Sequence, residues 1–233
     1  MQTASMPAGA RPAQARPSQT RRAYDELKRR ILDNELPPGS QALEQEIALL
    51  LGMSRTPVRE ALIRLTQEGM VEVRPRHGMR VLPIAVNDLR EIYDLLAGLE
   101  ATAVDILARR GLTAAEGAQL DRLVAEMAAA LQRDDLDGWA EGDTRFHRTL
   151  VEMSGNQRLI VMVDAIRDQS HRARMATLRL RPKPSLSNDE HAAVIAAIRR
   201  RDAETAHRLH RAHRQRAARL LLDLVEHHRL DLL

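Results

Sequence analysis

Between two runs with helical apolar spacing, "LEQEIALLLG" and "SRTPVREALIRLTQEG", the chain leaves only Met53 once Gly52 and Ser54 have served as helix caps. Gly52 fits a left-handed C-cap and Ser54 an N-cap. Pro57 falls in the first turn of the second run, where its missing N–H has no bond to lose. Two helices joined by so tight a turn predict a helix-turn-helix. Val58, Leu62 and Leu65 form the buried stripe of the second helix, while Arg55 and Arg59 lie one turn apart on another side. Forked guanidinium donors at a helix N-terminus suit guanine edges and phosphates.

The flanking segments extend this unit. "TRRAYDELKRRILDNEL" spaces Tyr24, Leu27 and Ile31 at helical intervals, and "PPGS" stops that helix. After Gly69 the period becomes alternating, with Val71 and Val73 in one strand, a turn near His77 and Gly78, and Val81 in the return strand. This hairpin is a wing. Arg74, Arg76 and Arg80 crowd onto it with no acid between them, as expected of a hairpin lying along phosphates.

Placement of charge says more than its sum. Residues 1–82 hold 13 Lys+Arg against 9 Asp+Glu, and residues 83–233 hold 23 of each, so the excess of +4 is entirely N-terminal. Four of those arginines lie in residues 1–22, a stretch without periodicity that reads as a disordered tail. The absence of cysteine excludes disulfides, thiolate metal sites and a Cys nucleophile. No apolar run approaches membrane-spanning length and no apolar leader core is present, so a soluble cytoplasmic protein with no membrane partner is expected.

From Asn87 onward the pattern is helical throughout. Apolar residues recur at 89, 92, 96, 99, 103 and 106, Gly111 closes that helix, and "TAAE" from Thr113 to Glu116 is a capping box opening the next. Further starts are expected near Asp137, at Asn156, within Ser187 to Asp189, and at Asp202. The expected fold is mainly α: a tail over 1–22, a winged helix-turn-helix over 23–83, and an all-helical bundle over 87–230.

Within the bundle, "DTRFH" puts a carboxylate and an imidazole one helical turn apart. At about 100° per residue, Trp139, Phe146, Leu150 and Met153 define an apolar stripe with Asp143 in its middle and His147 at its edge. The same projection turns His191 inward with Val194, Ile195 and Ile198, and His213 inward with Ala206, Leu209, Ala217, Leu220 and Leu224. His207 should be solvated, His210 is borderline, and His171, His227 and His228 take no defined place. A carboxylate facing a core needs a partner. Three imidazoles and one carboxylate from three helices make a divalent-metal site, with zinc first and nickel or manganese also compatible. For any one of these residues an ordinary hydrogen-bonded core role is the stronger reading; their agreement in direction reverses it. Arg174 leans toward the apolar face of its helix, and Arg172 less so.

Two stretches resemble known families. "LEQEIALLLGMSRTPVREALIRLTQEGMVEVRPRHGMRV" resembles the winged helix of GntR-type bacterial transcription regulators of the FadR-like branch, with "SRTPVREAL" its most specific part. The resemblance implies DNA contacts from Arg55, Thr56 and Arg59 and from His77 and Gly78 at the wing tip, beside the basic wing residues Arg74 and Arg76. "DTRFHRTLVEMSGN" and "DEHAAVIAAIRRRDAETAHRLHRAH" resemble the FCD effector domain, whose implied metal ligands fall on Asp143, His147, His191 and His213. Gln45 and Leu96 depart from the family pattern, each standing where many relatives carry an arginine that contacts DNA or ligand. Arg174 and Arg172 are then the substitutes for effector binding. The resemblance implies a homodimeric regulator, not an enzyme, that reads operator DNA and senses a small organic acid beside the metal. Two rival readings use the same residues: a metal-dependent hydrolase that activates water there, and a metal-free interaction module whose histidines only hydrogen-bond.

Overall fold

The computed structural model describes residues 17–227, and all statements of structure below concern them. Helix α1 (Gln19–Leu32) starts earlier than expected, inside the stretch read as tail, because Ser18 accepts the backbone N–H of Arg21 and Arg21 pairs with Asp25 one turn on. The rest of the expected tail, residues 1–16, lies outside the described residues. Helices α2 (Glu44–Leu51) and α3 (Arg55–Gln67) follow, with Gly52 at φ 63° as the left-handed cap between them. Ser54 occupies the N-cap of α3 but its side chain makes no capping bond.

The wing has three strands rather than the expected hairpin. Strands β2 (Val71–Arg74) and β3 (Gly78–Val81) pair antiparallel, and β1 (Gln41–Ala42) joins the other side of β3. A two-residue strand carries no alternation that a sequence can show. It does leave a mark on Gly78, which sits at φ 76°, where a Cβ would lie 2.2 Å from the Ala42 carbonyl oxygen. Ala23, Leu27, Ile47, Val58, Leu62, Leu65, Val71 and Val81 close the core of this unit.

Beyond the wing the described chain is helical: α4 (Val86–Arg110), α5 (Ala114–Gln132), α6 (Leu136–Met153), α7 (Gln157–Thr177), a 3-10 turn (Leu178–Leu180), α8 (Ser185–Arg199) and α9 (Ala203–His227). The capping box at Thr113 and Glu116 forms, and Asn156 caps α7 as expected. Helix α6 is capped by Asp135, a near neighbour of Asp137, within the expected start. Helix α8 starts ahead of its expected window, directly after Pro184. Helix α4 lies along α9 and also meets α6, α7 and α8, so its inner face runs through the middle of the bundle. There Leu96, one of the two family departures, is fully buried in aliphatic core.

Helix α7 touches both halves of the molecule. Asp168 pairs with Lys28 of α1 at 2.5 Å, Gln169 donates to the Glu68 carbonyl at 3.2 Å, and Arg172 donates to the Leu82 carbonyl at 2.7 Å.

Candidate functional site

The first candidate surface lies between α3 and the wing. Arg55 and Arg59 project from the first turns of α3, and they share a groove with Glu44 and Gln45 of α2 and with Arg74, Arg76 and Gly78 of the wing. His77 borders an adjoining hollow beside Arg74 and Arg80, and Thr56 is exposed at the start of α3. Among the described residues, the carboxylate that meets the two α3 arginines is Glu44, 3.4 Å from Arg55 and 3.2 Å from Arg59. Arg59 first, with Arg55, keeps the Glu44 carboxyl below its ordinary range.

The second lies inside the helical domain. His191 Nε2 is 3.2 Å from His213 Nε2, His213 Nε2 is 3.4 Å from His147 Nε2, and Asp143 Oδ1 is 3.6 Å from the Nε2 atoms of both His147 and His191. All four side chains are buried, coming from α6, α8 and α9. Ligand bonds of about 2.0–2.1 Å to zinc make a tetrahedron whose edges are about 3.3–3.4 Å, close to these separations. The donors therefore fit a divalent ion.

What stands behind them matters as much. His213 Nδ1–H donates to Glu190 at 2.7 Å, which leaves Nε2 as a lone pair facing its three neighbours. His147 Nδ1 lies 2.9 Å from Glu100 Oε2, a close contact without the alignment of a hydrogen bond. Glu100 also accepts from His210 Nε2 at 2.9 Å and from Arg214 Nε at 2.8 Å. Burial pushes the Glu100 carboxyl up, but Arg214 and His147 outweigh it and hold the group well below the usual carboxylate range. Glu190 behaves alike: against burial, its bonds to His213 and Arg216 bring it to about 2. Asp143 turns its other oxygen to Arg174, which also donates to Thr144. Burial and the neighbouring His213 push His191 well below its ordinary value.

A cavity of about 270 Å³ opens beside these donors, with Asp143, His147, His213 and Arg174 in its wall and Trp139, Tyr93, Leu178 and Leu220 on its apolar sides.

The family comparisons match this layout. The model described as "Bacterial regulatory proteins, gntR family" matches residues 19–81, and the FCD domain model matches residues 91–216. The chain belongs to the GntR family and carries an FCD domain. It is 46% identical over 131 residues, 55% of this chain and 77% of the relative, to an HTH-type transcriptional regulator from the TAR-I ttuE–ttuC' intergenic region of Agrobacterium vitis. It is 27% identical over 192 residues, 82% of this chain and 84% of the relative, to the HTH-type transcriptional repressor RspR of Escherichia coli. Among solved structures, E. coli McbR/YncC shares the fold at TM-score 0.77 and 24% identity, covering 90% of this chain and 99% of that one. This GntR-family protein is thus a DNA-binding transcription regulator, and none of its described helices is long and apolar enough to cross a membrane.

The FCD domain brings Asp143, His147, His191 and His213 together, and Arg174 beside them. It does not bring Arg172, whose guanidinium is buried against the Leu82 carbonyl outside the cavity wall. His210 faces fully inward, and His171 lies by Thr144 and Arg174, its pKa pushed down to about 4 by burial and the Arg174 charge. Sequence reasoning missed Glu100, Glu190, Arg214 and Arg181. Glu100 was detectable, since it shares the buried face of Leu96, Ala103 and Leu107. Glu190 adjoins His191 in sequence and therefore projects about 100° away from it, while Arg214 was detectable in the same way as Glu100, since it shares the buried face of His210, Leu221 and Val225. Arg181 lies in irregular chain after the 3-10 turn, where periodicity carries no information.

Proposed function

We propose that this regulator is a homodimer of the FadR-like branch whose FCD domain holds a divalent metal on Asp143, His147, His191 and His213 and senses a small organic acid in the adjoining cavity. The observation that carries the reading is the convergence of three imidazole nitrogens and one carboxylate oxygen at 3.2–3.6 Å, open on one side to a cavity that Arg174 also lines. A bound ion supplies open coordination positions for an acid's oxygens. The chain's own part is to orient the donors: Glu190 and Glu100 behind the imidazoles and Arg174 behind Asp143.

The winged domain then reads operator half-sites with Arg55, Thr56 and Arg59 in the major groove and Arg74, Arg76, His77 and Gly78 along the wing. Helix α7 links the two functions. Arg174 reaches the metal donors, while Asp168, Gln169 and Arg172 on the same helix hold α1, the end of α3 and the linker. An acid that binds more tightly to one setting of α7 shifts the protein toward that setting. Support for a dimer comes from the paired half-sites such proteins read and from the exposed apolar residues Leu95, Val161 and Met162 on the contacting helices α4 and α7. RspR is a repressor by its name, and repression of metabolic genes is the sign proposed here.

Elemental analysis of protein purified without chelator tests the site. One divalent ion per chain is expected, lost in His213→Ala and in Asp143→Ala. Equal metal content in wild type and both variants would sink the metal reading. Operator affinity unchanged in both Arg55→Ala and Arg59→Ala would remove the DNA assignment. A water-activating hydrolase at the same donors is the weaker reading, because the relatives are named as transcription regulators.

A further inference from the structure

The wall of the FCD cavity is unevenly built. Its inner lining, including Tyr93, Trp139, Arg174 and Leu178, is buried, whereas the lining residues exposed to solvent are Pro182, Lys183 and Leu186. These three lie on one segment between two fixed points. Leu178 is buried in the bundle core, and Ser187, also buried, accepts from Arg216 of α9 at 3.0 Å. The chain between them, after the 3-10 turn and before α8 settles into the bundle, is the outer wall of the cavity.

Little holds this wall in place. Pro182 and Pro184 have no N–H to give. Among the described residues, the backbone hydrogen bonds of residues 181–184 go to Ser185 and Ser187 at the start of α8 and cross to no other helix. Two ion pairs cross instead to the corner between α5 and α6: Arg179 to Asp137 at 2.7 Å, and Lys183 to Asp134. Their side chains are 48–84% exposed, so both pairs are weak and screened by salt. On the inner side Arg181 works against closure. One terminal nitrogen donates to the Arg174 carbonyl at 2.8 Å, but the buried Nε meets no acceptor. Buried N–H donors normally have one, and an outward swing would give this one to water. The segment is also stiff, because each proline confines the residue before it, Arg181 or Lys183, to extended backbone. Arg181 accordingly sits at φ −94°, ψ 151°.

We propose that residues 179–184 are a gate to the FCD cavity, latched shut by the Arg179–Asp137 and Lys183–Asp134 pairs and opening as one stiff piece when they break. Access to the interior is then set by two surface ion pairs on the α5–α6 corner, outside the cavity itself. The gate deepens the reading of this cavity as a ligand site, but its test needs neither metal nor ligand.

Trp139, the single tryptophan of the chain, lies in the cavity wall and is only 3% exposed. N-bromosuccinimide, a small neutral oxidant, destroys indole fluorescence once it reaches the ring, so the rate of fluorescence loss in the full chain follows the fraction of time the gate is open. Asp134→Asn combined with Asp137→Asn should raise that rate about threefold or more, as expected when two exposed pairs are lost. Added salt should speed the wild type and leave the double variant unchanged. Asp134→Lys should also oxidise faster, and adding Lys183→Asp should slow it again by restoring the pair with its charges exchanged. Glu152→Gln breaks a similarly exposed pair elsewhere on α6, with Arg148 at 2.6 Å, and should leave the rate at the wild-type value. A double variant no faster than wild type overturns the gate, as does a wild-type rate indifferent to salt. A gain matched by Glu152→Gln, or accompanied by a lower urea midpoint, overturns it too, because it marks general loosening. If the latch behaves as expected while zinc and organic acids fail to bind, the gate stands and the metal and acid-sensing readings fall without it.

Discussion

The recognition face and the buried FCD cluster are both built from arginine–carboxylate pairs, yet they do opposite things with them. On the recognition face, Arg55 and Arg59 share Glu44 while their side chains remain 64% exposed. In the FCD domain, Arg214 and Glu100 are 5% and 2% exposed and meet through two nitrogens. An exposed pair of this kind is worth about 0–1 kcal/mol. Breaking a buried one from a single side costs about 3–5 kcal/mol. Solvent therefore decides which arginines can change partners: those on α3 can leave Glu44 for another anion at small cost, and Arg214 stays.

The largest expected effect breaks the buried side. Glu100→Ala removes the acceptor of Arg214, His210 and the contact to His147 at once, and leaves a buried guanidinium uncompensated. A loss of about 3–5 kcal/mol in unfolding free energy is expected, read by urea denaturation. A loss below about 1 kcal/mol would show that water reaches the cluster and that the contrast with the recognition face is wrong. Next comes the exposed side. Arg59→Ala should weaken operator binding by about 1–3 kcal/mol and leave the denaturation midpoint within experimental error of wild type. If stability falls as far as binding, the Glu44 pairing is structural rather than exchangeable.

The same contrast explains which features are legible in the amino-acid sequence. The DNA-binding unit is legible because the arginines of α3 are exposed and its core is a plain stripe: Val58, Leu62 and Leu65 lie on the buried face of α3, and Arg55 and Arg59 point to solvent. The four inward donors Asp143, His147, His191 and His213 are legible for the converse reason, as polar residues on apolar stripes. What escapes is the layer that pairs with them. Glu190 reaches the cluster by a long side chain from a position flanking a stripe, Arg214 shares a buried face with Leu221 and Val225 but finds its partner Glu100 on another helix, and Arg172 leans inward only to meet the Leu82 carbonyl. Direction from the helix axis predicts burial, but the reach and destination of a long side chain are set by neighbours on other helices. Strand β1 escapes for a related reason, since its two residues are defined by pairing to β3 and not by their own pattern.

A change of intermediate size separates orientation from bulk stability. Glu190 bonds His213 Nδ1 at 2.7 Å and is also held by Arg216 at the edge of the cluster, so it is less enclosed than Glu100. Glu190→Gln keeps the shape but weakens the acceptor that fixes the His213 tautomer. Metal affinity should fall about 10–100-fold, measured by competition with a chromophoric chelator, with the apo protein nearly as stable as wild type. Unchanged metal affinity would mean that His213 needs no orienting partner.

The smallest effect asks whether exposure or domain sets the cost. The capping box at the start of α5 belongs to the same helical domain as Glu100 but lies on its surface: Glu116 accepts from the Thr113 N–H at 2.8 Å and pairs with Arg110 at 2.7 Å. If exposure governs, Thr113→Ala should cost only about 1 kcal/mol, a lowering of Tm by about 2–4 °C for a protein of this size. The Arg110 bond, aided by the Thr113 N–H, lowers the Glu116 pKa from 4.5 to about 2. A depressed folded-state pKa contributes stability above the unfolded value and loses it as the folded group protonates. The Tm difference between wild type and Glu116→Gln should therefore be full above pH 4.5 and shrink as pH falls toward about 2. A difference that stays constant through that window would assign the effect to the cap's geometry alone and leave the Arg110 pair without a measurable role.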